Sequence, residues 1–397
     1  MSLYADLGLR PVVNAAGTLT RLGGSRMAPE VLAAMAEAAA NFVPIDDLQE
    51  RAGAVIAALT GAEAGYVVAG AAAGLALGTA ACVAGLDVAA MDRLPDTAGL
   101  RDEVVVQRGH RNAYDHAVRS AGVRFVEVGY LGHPGAGGTF GWQVDAAITE
   151  RTAAVACPVL DTPGTVPLAE VCAIAHARGV PVVVDAAAAL PPRANLRRFV
   201  AEGADLVVFS GGKAIGGPQA SGVVAGRRDL VASVALQHQD MDVRPETWSR
   251  RALLAEGRLA GVPHQGFGRS MKVGREEITG LLVALQRFAA DSDEADRDRW
   301  SALLDAVEAG LGATPGVARC RLASHAGIVP LLALDLPGGD AAPAAAHGVL
   351  NALYEGEPRI ALGASHAEHG RLIVNPMSLT EAEAAVVGRR LGEVLRG

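Results

Sequence analysis

From about Glu50 onward the chain alternates short apolar runs with stretches of helical period. GAEAGYVVAG reads as a strand and AAAGLALGTAACVAG as the helix after it; EVVVQ is a strand and YDHAVRSAG a helix. VRFVEVG and AAVACPV follow as strands, LAEVCAIAHARG as a helix, and PVVVDAAAAL, DLVVFSGGK and SGVVAG close the series. Strands separated by roughly 10 to 15 residues of helix predict a mainly parallel sheet covered by helices on both faces. Leu206, Val207, Val208 and Phe209 run without alternation and read as a short strand buried on both faces, as in sheets covered by helices on each side. Beyond Leu230 the pattern changes: LLAEGRLAG and EEITGLLVALQRFAADSDEADRDRWSALLDAVEAG read as long amphipathic helices, the second charged enough to be partly exposed. From Ala318 to Gly397, strands such as GIVPLLALDLP and RLIVNPM mix with closing helices. The expected division is an N-terminal segment over 1–45 that packs with a small domain, a large domain over 46–255, and a smaller α+β domain over 256–397 that includes the long connecting helix.

Composition narrows this picture. The chain has 397 residues, half of them hydrophobic, with 35 basic against 43 acidic side chains and a formal charge of −8. Binding a phosphate backbone needs clustered Lys and Arg, so the acidity argues against a nucleic-acid partner. The longest apolar region, Tyr66 to Leu86, is dense in Gly and Ala and reads as a buried helix against a sheet rather than a membrane span. The N-terminus lacks a basic start followed by an apolar core, so no signal peptide is expected. Cys82, Cys157, Cys172 and Cys320 form no CxxC pair and have no His at metal-ligand spacing, which fits a reduced, cytoplasmic setting without a metal.

The candidate chemistry centres on ADLVVFSGGKAIGGPQASGVVAG. Lys213 ends an apolar run, with Gly211 and Gly212 before it and Gly216 and Gly217 after. Ligands of open α/β sheets bind at the carboxyl ends of strands, and glycines let backbone approach them. The lysine therefore reads as a phosphate clamp, a Schiff-base former or a packing residue whose ammonium reaches water. Asp185 ends the run PVVVD, and a carboxylate buried at a strand end is costly without a positive partner. The protonated ring nitrogen of pyridoxal phosphate is one such partner; a helix N-cap is an equal reading of Asp185 alone. In VVAGAAAGLAL a strand passes through Gly70 into a helix whose first N–H groups make an anion site.

The cradle, the acidic strand end and the glycine-flanked lysine stand in the chain order of fold-type-I pyridoxal-phosphate enzymes. EVVVQRGHRNAYDHAVRSAGVRFVEVG, VPVVVDAAAALPP, DLVVFSGGKAIGGPQASGVVAGRRDLV, LTGAEAGYVVAGAAAG and GRSMKVGREEITGLLVAL resemble the family that holds bacterial selenocysteine synthase (seryl-tRNA selenium transferase) and D-glucosaminate-6-phosphate ammonia-lyase. The likeness runs from about Val12 to Leu281 and returns at RLIVNPMSLTEAEAAVVGRRL. It implies a seven-stranded, mainly parallel sheet in the large domain, a smaller α+β C-terminal domain, and pyridoxal 5′-phosphate held covalently by Lys213. By position it implies phosphate contacts from Ser210 and from the backbone of Gly70, Ala71 and Ala72. It also implies ring stacking by His110, for which a loop hydrogen-bonding role is the alternative, and contacts to the ring hydroxyl near Asp161 and Thr162, which could instead begin a turn. Ala69 departs from the family, since many relatives carry a hydroxyl residue there. With only a short, non-basic run before PVVNAAGTLTRLGG, a small amino-acid substrate is expected rather than charged tRNA.

Lys213 would then act as the base at the substrate α-carbon, its pKa lowered by an apolar site. The closest resemblance implies α,β-elimination with ammonia release on an amino acid or amino-sugar acid. Racemisation, transamination and a non-catalytic carrier or regulator are the competing readings. Arg359 and Arg371 are the candidates for a bidentate grip on the substrate carboxylate, and Arg269 and Lys272 for a second substrate anion. The resemblance also implies a homodimer or larger assembly, with VPHQGFGRSMK, including His264 and Arg269, reaching the neighbouring copy.

Overall fold

The computed structural model describes residues 3–131, 138–160 and 162–397. Its strands, in chain order, are β1 (Val12–Ala15), β2 (Ala64–Val68), β3 (Glu103–Gln107), β4 (Arg124–Val128), β5 (Thr152–Pro158), β6 (Val182–Asp185), β7 (Leu206–Ser210), β8 (Gly222–Gly226), β9 (Ala318–Ser324), β10 (Val329–Asp335), β11 (Arg359–Leu362) and β12 (Arg371–Val374). The chain forms two compact units: residues 27–190 with 194–288, and residues 1–26 with 191–193 and 289–397.

The larger unit is built on a seven-stranded sheet of order β2-β8-β7-β6-β5-β3-β4. Five neighbouring strands, β7 to β4 in that order, run parallel, while β8 is antiparallel to both β7 and β2. The α/β, fold-type-I architecture read from the sequence is thus the one observed. β3 and β8 are buried at every residue, so the unbroken apolar runs mark strands covered on both faces. The region that imitates a membrane span is β2 followed by the helix Ala71–Ala84, ten of whose residues are buried. Its small residues permit close packing: a Cβ on Gly74 would come within 2.7 Å of Val208 Cγ1. No helix among the described residues is long and apolar enough to cross a membrane.

The smaller unit holds an antiparallel sheet of order β12-β10-β9 and the parallel pair β1-β11. Trp300, Leu304 and Val307 of the helix Asp293–Leu311 pack there with Val387 and Leu391 of the helix Glu381–Arg396.

Three sequence expectations need correction. Residues 256–288 belong to the larger unit, as do residues 27–45. The physical reason is the helix Arg275–Ala290: a Cβ on Gly280 would meet Met35 Cγ at 2.7 Å and Pro218 Cγ at 3.0 Å, so this helix is seated on the sheet-bearing unit. The single long helix is two, broken where the Ser292 side chain accepts from the Ala295 N–H and starts a new N-terminus with Asp293, Glu294 and Asp296 in its first turn. LLAEGRLAG forms only the single turn Ala252–Ala255.

Candidate active site

Because β2, β7, β6, β5 and β3 share one direction, their carboxyl ends lie along one edge of the sheet. That edge carries, in spatial order, the Gly70 turn after β2, Ser210 and Lys213 after β7, Asp185 at the end of β6, Thr162 beyond β5 and His110 beyond β3. The sequence-predicted residues of the larger unit's strand ends are therefore brought together. Asp161 lies outside the described residues.

At one end of this row Gly70 adopts φ +93°, which favours glycine, and turns the chain into the helix Ala71–Ala84. The first N–H groups of that helix have no carbonyl within it to bond. Gly222, at the start of β8, presses on this turn: a Cβ there would stand 2.7 Å from Gly70 C and 2.9 Å from Ala71 N. The lysine turn is equally tight. Gly217 N donates to Gly211 O at 2.9 Å, Gly216 N to Lys213 O at 3.0 Å, and a Cβ on Gly212 would meet Gln219 Cα at 2.6 Å.

Lys213 is half-buried, and among the described residues its ammonium makes no hydrogen bond or ion pair. Burial holds it below the usual lysine pKa, while the charge of Asp185 opposes that shift. Burial raises the Asp185 carboxyl above its usual range, against the Ala187 N–H that donates to Oδ1 at 3.0 Å and the positive field of Lys213. Each charge is thus poorly compensated in the protein alone. His110 is 6 % exposed, its Nδ1 has no hydrogen-bond partner, and burial lowers its pKa so that the imidazole stays neutral. Thr162 Oγ1 donates to Gly109 O at 3.1 Å, so the β3 and β5 loops touch beside His110.

Sequence reasoning missed the side chains that share a cavity with Asp185: Asn112, Tyr114 and Cys157. Only the position of Asn112 and Tyr114 next to His110 in the stretch RGHRNAYDH could have flagged them. Arg269 and Lys272 line a different cavity of the larger unit, about 370 Å³, with Tyr66, His238 and Gln239. Arg269 stands 3.7 Å from Asp240, and Lys272 is exposed. His264 is exposed and 2.8 Å from Asp92 Oδ1. In the smaller unit Arg371 is held bidentately by Asp335, at 2.6 and 2.9 Å. Arg359 has no carboxylate partner among the described residues; its guanidinium lies 4.7 Å over the Tyr354 ring and its buried Nε is unbonded.

An anion cradle at one end of the row, an under-compensated carboxylate in the middle and a free, partly desolvated amine between them suit a ligand with a phosphate, a basic ring nitrogen and an aldehyde. The residues fit pyridoxal phosphate. The protein is a fold-type-I pyridoxal-phosphate-dependent enzyme.

Comparison with known proteins narrows the class. The family model of SelA, L-seryl-tRNA selenium transferase, matches residues 12–244, and the chain belongs to that family. It is 35 % identical over 401 residues to a 5′-C-glycyluridine monooxygenase-decarboxylase from Streptomyces sp, covering 99 % of this chain and 92 % of the relative. It is 32 % identical over 409 residues to the D-glucosaminate-6-phosphate ammonia lyase of Salmonella typhimurium, covering 99 % and 98 %. A solved structure of D-glucosaminate-6-phosphate ammonia-lyase superposes with a TM-score of 0.81 at 31 % identity, over 100 % of this chain and 98 % of that one.

Proposed function

We propose that the protein is an ammonia-lyase that carries out α-proton abstraction and α,β-elimination on a small amino acid or amino-sugar acid. The observation that carries this reading is the end-to-end match, in sequence and in fold, to an ammonia-lyase, taken with a free Lys213 amine at a strand end. Bound pyridoxal phosphate supplies the electron sink for the charge left on the substrate α-carbon. Lys213 would hold the cofactor through Nζ, and the same amine, when free, would take the substrate α-proton. Burial lowers its pKa, which makes the free amine easier to obtain as a base. The bond from Cβ to its substituent then breaks with its electron pair, and the proton on Lys213 passes to the leaving group. For a β-hydroxy substrate this expels water; water then hydrolyses the unsaturated amine, so each substrate yields one ammonia and one keto acid.

Asp185 would accept from the protonated ring nitrogen, which would relieve the desolvation of its carboxylate. His110 would cover the ring face, Thr162 would border the ring hydroxyl, and Ser210 with the backbone of Gly70, Ala71 and Ala72 would hold the phosphate. Of the two candidate arginines, Arg359 is the better suited to a substrate carboxylate, because Asp335 already neutralises Arg371. Arg269 and Lys272 serve a second anion of the substrate. The enzyme works in the cytoplasm as a homodimer or larger assembly, with the segment around His264 and Arg269 reaching the neighbouring copy, and its partner is a small molecule rather than tRNA.

The Streptomyces relative supports a second reading, oxidative decarboxylation at the same α-carbon. Incubating the holoenzyme with D- and L-amino acids and amino-sugar acids, with and without oxygen, separates the possibilities. Ammonia and keto acid at equal rates in air and under argon are expected. Oxygen-dependent release of carbon dioxide would establish the second reading, inverted substrate of unchanged mass a racemase, and an amino-group acceptor requirement an aminotransferase.

A further inference from the structure

The ring of His110 makes no hydrogen bond through Nδ1, so that atom gives it no anchor; its backbone must hold it in place. That backbone is tied on two sides: Asn112 Nδ2 donates to the His110 carbonyl at 3.1 Å, and the preceding Gly109 carbonyl accepts from Thr162 Oγ1 at 3.1 Å. The second tie is useful only if the loop carrying Thr162 is itself fixed. Within that loop Thr165 Oγ1 donates to the Thr162 carbonyl at 3.0 Å. Gly109 is packed so closely on it that a Cβ would lie 2.8 Å from Thr162 Cγ2.

Gln107 closes this arrangement. It is the last residue of β3 and 1 % exposed. Its Nε2 donates to the Val166 carbonyl at 3.0 Å, and its Oε1 accepts from the Val166 N–H at 2.6 Å. One amide therefore pairs with both polar groups of a single backbone residue, as a neighbouring strand would, and pins the 162–166 loop to the end of β3. We infer that Gln107 is a positioning residue of the cofactor site, setting the His110 ring and the Thr162 hydroxyl relative to each other and to the bound cofactor. Both polar groups of its side chain are taken up by Val166, so it acts through Val166, Thr162 and Gly109. The inference rests on the reading that His110 and Thr162 border the cofactor.

The test uses holoenzyme of four variants: Gln107→Met, which keeps shape and loses both bonds; Gln107→Asn, which keeps the amide but shortens its reach; and His110→Ala with Thr162→Val as controls. Each is read by kcat, KM and the visible circular dichroism of the bound cofactor, which reports the asymmetry of its surroundings, with far-ultraviolet dichroism as the check on folding. Gln107→Met is expected to fold, to lose about 10- to 100-fold in kcat with KM little changed, and to weaken the visible signal, since small misplacements at a site cost rate rather than affinity. Gln107→Asn is expected to fall between it and the wild type, and decides the matter if the Met variant does not fold. Altered signals in both controls, with wild-type kcat and dichroism in a folded Gln107 variant, would overturn the inference alone. Wild-type signals in both controls would overturn the underlying reading and the inference with it.

Discussion

Two aspartates, Asp205 buried and Asp185 half-buried, mark opposite ends of the same pair of strands. Asp205 stands just before β7, at the amino end, and is 5 % exposed. Its carboxylate accepts from the Val182 N–H at 2.8 Å and from Arg227 Nη1 at 3.1 Å, and it hydrogen-bonds His176 Nε2 at 2.7 Å. Asp185 ends β6, at the carboxyl edge, with one backbone donor and the field of Lys213. A buried carboxylate that serves the fold is given all its partners by the chain, because leaving one short costs stability. One left short at a ligand-facing edge is kept that way by something other than folding. The contrast locates function by what is missing from a hydrogen-bond inventory, without reference to any motif.

The strongest way to break this contrast is at the amine. Lys213→Ala should abolish borohydride-fixable attachment of pyridoxal phosphate and reduce turnover by roughly 100- to 10,000-fold, the usual share of a positioned proton-transfer group; peptide mass spectrometry after reduction would expose the error if another lysine were labelled. Next come the two aspartates themselves. Asp185→Asn should keep the fold and cut turnover by about 100-fold or more, whereas Asp205→Asn should lower stability by about 2 kcal/mol and spare the turnover of the folded fraction. The sign of the pH effect follows from the raised Asp185 pKa. The folded apoprotein binds that proton more tightly than the unfolded chain, so at neutral pH the ionised carboxylate destabilises it, and the penalty is relieved as pH falls through the raised value toward the ordinary one. Apoprotein of Asp185→Asn should therefore melt at or above the wild type at neutral pH, the gap closing on acidification. Melting below the wild type would return Asp185 to a capping role.

Smaller effects sharpen the same idea in the arginines. Arg359→Ala should raise KM by about 10- to 100-fold, while Arg371→Ala, whose charge Asp335 already answers, should change KM little; equal effects would show that an unfilled partner list does not single out the substrate's arginine. The smallest change is expected at His110. His110→Phe keeps an aromatic face over the ring and should retain turnover within about tenfold, with ammonia still released. A far larger loss, together with solvent deuterium appearing in unreacted wild-type substrate as its configuration inverts, would favour a racemase with His110 as the opposite-face acid.

Six of the seven strands of the large sheet, all but β4, stand in the sequence as mainly apolar runs because they are largely buried, whereas the outer strand β4 carries the exposed Arg124 and Glu127. Lys213 and Asp185 were legible for the same reason: each interrupts such a run at its end. The direction of β8 was not, since SGVVAG reads the same in either sense. The break at Ser292 was hidden by the continuous helical period on either side of it. Gln107 and Tyr114 were illegible because what defines them, Val166 for one and a shared cavity with Asp185 for the other, lies far along the chain. The grouping of residues 256–288 with the larger unit depended likewise on contacts such as Gly280 with Met35.

The pairing of β2 with β8 also fixes an order of events in folding. β2 is the edge of its sheet, and its one neighbour is the last strand of that sheet to be synthesised: Ala64 pairs with Gly226 and Val68 with Gly222. Closing so long a loop is entropically costly and slow compared with joining adjacent βα elements. The turn at Gly70 that would hold an anion is therefore finished late, after the segment bearing Lys213 has already left the ribosome. A chain ending before Gly222 has the lysine but lacks the strand that packs on the Gly70 turn. Pulse-labelled hydrogen exchange during refolding should find the β2 amides protected together with those of β8 and after those of β5 and β6; protection of β2 first would reverse the order.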